Sequence, residues 1–324
     1  MMDYEIFKKV VEEKFLDYLP EEYQNRKIVV SPVEKVNCSL DGLVVMDTKE
    51  GVHFSPTIYI NYMYSDYQDT EDLEQVLKHW AHSFDEWSKQ KLPFDVQALL
   101  SDECYVKEHV VFQFINAEEN QELLMDMPHR EYLDLAIVYR FIVDIGENGI
   151  TSVMIRNTVA TMFGLTETQL FQFAAENTRR MFPPVVKSMQ TVIKDLLYNS
   201  GLDLDSEDVE ILEDFLESIP QEEQLYVIGN PRNTNGAISI LYEDVLYHLA
   251  QKVDSDLYIM PSSVHECIAT SSKNGTVETF ASMVESVNMS DVPLTDRLSN
   301  QVYYYDRNLR KTSLATDTTS KLLG

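Results

Sequence analysis

The first twenty residues carry apolar side chains at helical spacing. Tyr4, Phe7, Val10, Val11, Phe15 and Leu19 recur every three or four positions, and Pro20 ends the run. Strand-like runs follow at 27–32, 43–47 and 52–64. In the last of these Ile58, Ile60 and Tyr62 alternate with Tyr59, Asn61 and Met63, which is the period of a pleated strand. Between 71 and 89 the period is helical again, with Leu73, Val76, Leu77, Trp80, Phe84 and Trp87 on one side. A strand at 110–115 precedes a long apolar run at 132–145. Gly146-Glu147-Asn148-Gly149 then predicts a hairpin into 150–155. Thr166 and Gln169 form a capping-box pattern that opens a helix towards Met181. Pro183-Pro184 ends it, and a second helix is expected over 185–198.

Beyond residue 224 the pattern reads strand (225–228), turn at Asn235-Gly236, strand (237–241), helix (243–252) and strand (257–260). A helix at 277–287 and a tyrosine-rich strand at 302–305 follow, and the residues after Arg310 read as a frayed polar tail. Strands and helices mix without a steady βαβ rhythm. The expected fold is therefore α+β, with mainly antiparallel sheets and two lobes. The expected division is an N-terminal α+β lobe at 1–200, an acidic helical connector at 201–222, a C-terminal α/β-type lobe at 223–311 and a flexible tail at 312–324.

Composition changes this picture in one respect. The chain has 26 Lys+Arg against 54 Asp+Glu, a formal charge of −28. Such a field repels phosphate and anionic lipid and attracts basic proteins. The acids are unevenly spread: eleven fall between Lys194 and Arg232, where no base occurs. Within that stretch Val209, Leu212, Phe215 and Leu216 keep helical spacing, so part of it is expected to be an acidic amphipathic helix. The candidate interaction surface comprises Asp203, Asp205, Glu207, Asp208, Glu210, Glu213, Asp214 and Glu217. The N-terminus lacks a basic and apolar leader, and no run of about 18 apolar residues exists to cross a membrane. The three cysteines, Cys38, Cys104 and Cys267, are odd in number and widely spaced, which fits a reducing cytoplasm.

Three constellations could carry chemistry. In Pro261-Ser262-Ser263-Val264-His265-Glu266-Cys267, just after a predicted strand, Ser263, His265 and Glu266 could serve as nucleophile, base and orienting carboxylate. Adjacent strand residues face opposite ways, so convergence of His265 and Glu266 is not implied. A zinc-peptidase reading fails because the second histidine position is Ala269. Structurally, the serines would cap a turn and His265 would bond to backbone. His79 and His82, three apart on a predicted helix, could begin a metal site, but a metal needs at least three ligands and a solvated helix face explains them as well. Asp134 and Arg140 would share a face of the 132–145 strand, as a polar sheet edge or a buried hydrogen-bonded pair. Ser262, Asp134, Asn235 and Gly236 complete the candidate pocket. Walker-A, G-x-G-x-x-G, G-x-S-x-G and kinase signatures are absent, and ten glycines make phosphate-cradling loops unexpected. No cofactor is implied.

Several of these segments together resemble a bacterial domain-of-unknown-function family, seen mainly in Gram-positive anaerobes. The matching stretches are 55–59, Phe114-Ile115-Asn116 with Asn120, 132–138, Ala175-Glu176-Asn177-Thr178, Asn235-Gly236-Ala237 and the distinctive 258–266. Val287-Asn288, Leu298-Ser299 and Val302-Tyr303 complete a match over nearly the whole chain. The resemblance implies one integral unit and brings no activity with it. Where that family usually has Val or Ile after His-Glu, this chain has Cys267.

The functional expectation is an intracellular binding or regulatory protein whose acidic surface engages a basic protein partner, with neither nucleic acid nor membrane bound directly. A hydrolase centred on Ser263, His265 and Glu266 is the enzymatic alternative, and a DNA-mimicking inhibitor of a nucleic-acid-binding protein is the sharper form of the binding one.

Overall fold

A computed structural model describes residues 1–46, 56–89, 103–146, 149–199, 206–220 and 223–315. Its contacts divide the chain into two compact units, residues 1–95 and 96–324. The fold class is α+β, and all strand pairs are antiparallel among the described residues. No helix among them is long and apolar enough to cross a membrane.

In the first unit, helix Tyr4–Lys14 begins where the Asp3 carboxylate accepts the Ile6 N–H at 3.0 Å. Strands β1 (Lys27–Lys35) and β2 (Cys38–Met46) form a hairpin, and β3 (Thr57–Tyr59) adds to β2. The turn carries Asn37 at φ 61, a conformation asparagine tolerates. The strand expected over 52–64 exists only at 57–59, and 52–55 lie outside the described residues. From Ile60 to Thr70 the chain is helical, because Ile60, Met63 and Tyr67 are the positions that bury. Six residues of Ile/Tyr alternation imitate a strand, but the three-and-four spacing that continues to Tyr67 decides the outcome. Helix Leu73–Lys89 follows. Phe7, Phe15, Tyr23, Tyr67 and Phe84 form an aromatic core, with Phe7 stacked on Tyr67 at 5.2 Å and Tyr23 edge-on to Phe84 at 5.6 Å.

One polar cluster ties that helix to the sheet. Asp41 on β2 accepts from the Tyr4 hydroxyl at 2.7 Å and from Lys8 Nζ at 2.6 Å. Burial alone would raise the Asp41 pKa, but the bonds from Lys8 and Tyr4 outweigh it and hold the carboxyl below its usual value.

In the second unit, β6 (Leu135–Gly146) is the spine of a four-stranded sheet. β4 (Val110–Asn116) lies along one side. On the other side β5 (His129–Tyr132) covers its first half and β7 (Gly149–Met154) its second. The hairpin expected between β6 and β7 is present, with its two central residues outside the description. The single run expected over 132–145 is instead two strands, turned at Leu133-Asp134 with Tyr132 opposite Leu135. Leu133 takes φ 56, which costs a side chain with a Cβ about 1 kcal/mol, so no turn residue announced the reversal. Asp134 and Arg140 therefore do not share a strand face. Arg140 donates to Gln113 Oε1 at 3.1 Å and Ser152 Oγ at 2.8 Å, and burial lowers its pKa.

Helix Glu167–Met181 opens with the expected capping box of Thr166 and Gln169. Glu167 receives both Arg130 Nε, at 3.1 Å, and Arg130 Nη2, at 3.0 Å, together with the Tyr139 hydroxyl. Further along, the Thr178 hydroxyl accepts Phe112 N–H at 2.9 Å and Asn177 donates to the Val110 carbonyl at 3.0 Å, which pins the helix to β4.

The second sheet has six strands in the order β13-β12-β10-β11-β9-β8. These are β8 (Val185–Ser188), β9 (Tyr226–Gly229), β10 (Leu257–Met260), β11 (Cys267–Ser271), β12 (Tyr303–Asp306) and β13 (Lys311–Leu314). Three expectations change here. Residues 185–188 form a strand, not the first turn of a helix, because Pro183-Pro184 leave the chain extended and β9 supplies a partner; the helix begins at Met189, where Ser188 Oγ accepts Thr191 N–H at 3.2 Å. Residues 236–241 form a 3₁₀ helix with Ile238 and Ile240 both buried, an apolar run that periodicity cannot tell from a buried strand. Residues 311–314, expected in the tail, pair with β12, and 316–324 lie outside the description. Helices Glu243–Lys252 and Leu257–Met260 as a strand match expectation. Since β8 and β9 pair, residues on both sides of the acidic stretch share one sheet.

Asp41→Asn should destabilise the protein by about 1–3 kcal/mol at pH 7, the worth of a bond to a charged group. The folded carboxyl titrates below the unfolded value of about 3.9, so its contribution is full above that pH and is lost as pH falls through the folded pKa. Urea titrations should show the wild-type advantage constant from pH 6 to 8 and shrinking below pH 4. A difference that persists undiminished at pH 2.5 would rule out this role for the carboxylate.

Candidate functional site

The loop Pro261–Glu266 joins β10 to β11 and is held from two sides. On one side Leu298 N–H donates to the Ser262 carbonyl at 3.0 Å, Ser299 N–H to the Pro261 carbonyl at 3.1 Å, and Val264 N–H to the Asp296 carbonyl at 2.8 Å. On the other, Ala237 N–H donates to the Val264 carbonyl at 3.2 Å. Gly236 is required there: a Cβ would stand 2.5 Å from the His265 carbonyl oxygen and 2.9 Å from the Asn230 nitrogen. Asn235 precedes it at φ 52, which directs the chain into this contact.

These contacts settle where the candidate catalytic side chains go. Ser263 Oγ accepts the His265 N–H at 3.1 Å, a local turn bond. The His265 ring meets Asp296, with Nε2 3.4 Å from Oδ2, while its Nδ1 is buried without a hydrogen-bond partner. Glu266 instead lines a cleft between the β8-β9-β11 part of the sheet and helix Met189–Asn199. Asn235 and Gly236 serve the loop's backbone, and Ser262 contributes its carbonyl. Cys267 is fully buried, its thiol raised by burial and then by Glu266, and it donates weakly to the Ala237 carbonyl at 3.8 Å.

Asp134 belongs to a different junction. Its two carboxylate oxygens accept the Ser299 and Tyr303 hydroxyls, each at 2.5 Å. Burial, then the Asp134 charge, raises the Tyr303 pKa, so the phenol stays a donor. Asn116 donates to the Leu298 carbonyl at 2.6 Å and Asn288 to the Ser299 carbonyl at 3.0 Å. The segment 296–303 thus connects the β5–β6 turn, the end of β4, helix Val277–Ser290 and the Pro261–Glu266 loop. Many residues that carry the family resemblance, Asn116, Asn177, Thr178, Gly236, Asn288, Ser299 and Tyr303 among them, hold the fold through such bonds.

The cleft that Glu266 lines has a volume of about 640 Å³. Its apolar wall includes Val227 and Ile268 from the sheet and Met189, Val192 and Leu196 from helix Met189–Asn199. Lys187, Asp195, Asn230 and Asn233 are the other polar lining residues that bear on charge and hydrogen bonding. Lys187 and Asp195 pair at 2.7 Å. These residues escape sequence reasoning because 185–188 reads as helix, which puts Lys187 on the wrong element.

The acidic stretch contributes helix Ser206–Ser218. Asp203 and Asp205 lie outside the described residues, as do the side chains of Glu207, Asp208, Glu210 and Glu213. Asp214 and Glu217 are exposed, and Glu217 pairs with Lys194 at 2.7 Å, which lowers its pKa. Leu216 is buried, and its carbonyl accepts from Gln190 on the neighbouring helix. In the first unit, His82 meets Glu86 at 3.5 Å, whereas His79 borders Asp66 and Asp69. Among the described residues no group of three His, Cys, Asp or Glu is placed to hold a metal ion.

The Asp134 junction yields a stability prediction. Tyr303→Phe and Asp134→Asn should each destabilise by about 1–3 kcal/mol, and the double variant should cost clearly less than their sum. Chemical denaturation of the four proteins reads the coupling, and additive effects would mean that the two side chains act separately.

A search of curated proteins and a search of solved structures each found no match to the chain. A family model does match, over residues 4–307 of 324, and it spans both compact units. The chain belongs to the family of unknown function DUF5688.

Proposed function

We propose that the protein is a binding protein that takes a basic, amphipathic protein segment on the face formed by helices Met189–Asn199 and Ser206–Ser218. One observation carries this reading. In the stretch where eleven acids occur without a base, three large apolar side chains are mostly exposed: Leu196 at 63%, Ile211 at 68% and Phe215 at 62%. Acid alone would serve solubility, and exposed apolar groups set among acids have no such explanation. Their complement is a segment with leucine-like anchors flanked by Lys or Arg, the pattern of a helix laid in a groove. The same field disfavours nucleic acid as a direct ligand.

A 20-residue synthetic helix of leucine and arginine is a sufficient probe. Its affinity, measured by fluorescence anisotropy, should fall with added salt, and the Ile211→Ser/Phe215→Ser variant should bind about tenfold more weakly with its circular dichroism unchanged. Equal binding by that variant would reduce the interaction to bulk charge and overturn the proposal.

A further inference from the structure

Deepening that reading, and resting on it for the nature of the partner, we propose that the cleft between β9, β11 and helix Met189–Asn199 receives a lysine or arginine side chain of the bound basic segment, with Glu266 as its counter-ion.

The cleft's three charges do not balance. Lys187 is committed to Asp195 at 2.7 Å, and both stay near half-exposed, so the pair is close to neutral and solvated. Glu266 has no ion-pair partner among the described residues, which leaves the lining with one uncompensated negative charge. Around it the walls are Val227, Ile268, Met189 and Val192. A carboxylate beside an apolar wall suits a cation on an aliphatic stem: the stem covers the apolar surface and the head reaches the carboxylate. A phosphate or carboxylate ligand would meet Glu266 unfavourably, and a purely apolar ligand would leave it buried and unpaired. The volume of about 640 Å³ lies within the range of small-ligand sites, enough for a side chain with its flanking backbone.

Position links the cleft to the proposed docking face. Leu196 and Asp195 line the cleft, and Leu196 is one of the three exposed apolar residues of the docking face. Both features therefore lie on helix Met189–Asn199, so one bound segment can lie over the helices and turn one cation into the cleft. Asn230 is fixed within its own loop, donating to the Thr234 carbonyl at 2.8 Å and accepting Arg232 N–H at 2.9 Å, so the rim it forms is held in place.

The test uses the full chain and the leucine–arginine peptide, beside a copy with citrulline for arginine. Glu266→Gln should weaken the arginine peptide about tenfold and remove most of the preference over citrulline. Glu122→Gln, which removes the same charge outside the cleft, should change the affinity less than twofold. Val192→Lys, which adds a cation to the same lining, should reproduce the loss if the first variant proves unstable. Should Glu266→Gln and Val192→Lys bind like wild type while Ile211→Ser/Phe215→Ser weakens, the cleft proposal falls and the docking face stands. Loss in the cleft variants alone would keep the cleft and remove the face. If no variant matters, both proposals are wrong.

Discussion

Ser299 and Tyr303 place two hydroxyl groups on one carboxylate, Asp134, and that contact ties the four-stranded sheet of the larger unit to its six-stranded one. Asp134 stands at the turn between β5 and β6, while Ser299 and Tyr303 lead into β12 of the other sheet. The bonds therefore join the two sheets at the point where neither has strand pairing to offer the other. They also fix the 296–299 segment, which in turn holds the Pro261–Glu266 loop through backbone bonds. A carboxylate that accepts two neutral donors keeps its charge satisfied without a cation, which matters in a chain with 26 bases and 54 acids.

That dependence explains what a motif can and cannot reveal. The Ser263-His265-Glu266 run has the residue types of acid–base chemistry, yet its backbone is engaged on both sides and its side chains diverge. Ser263 closes a local turn, His265 meets Asp296, and Glu266 turns to a cleft. Residue types that suggest catalysis also make good loop fasteners, because short polar side chains satisfy backbone groups that no strand can reach.

Much of the fold was legible where pattern and propensity agree. Helix Glu243–Lys252 and strand Leu257–Met260 stand where periodicity puts them, and Thr166 with Gln169 caps as its spacing implies. Errors came where one signal imitated another. Ile58 to Met63 alternates long enough to pass for a strand, and Leu133 turns the chain without a turn residue. Lys187 was legible as a base but not as a cleft residue, since its strand exists only because Tyr226–Gly229 returns beside it after almost forty intervening positions. Asp296 as the neighbour of His265 is likewise a product of long-range pairing, which no local window contains.

The six-stranded sheet ends at β8 and β13, and each of these outer strands bears an exposed lysine, Lys187 and Lys311. A strand edge that is left uncovered offers backbone donors and acceptors to an extended chain, and a charged side chain beside it makes stacking against a second copy costly. The chain has few bases, and it keeps two of them at the positions where self-association through sheet edges would begin. Those lysines act against aggregation whatever the rest of the surface binds.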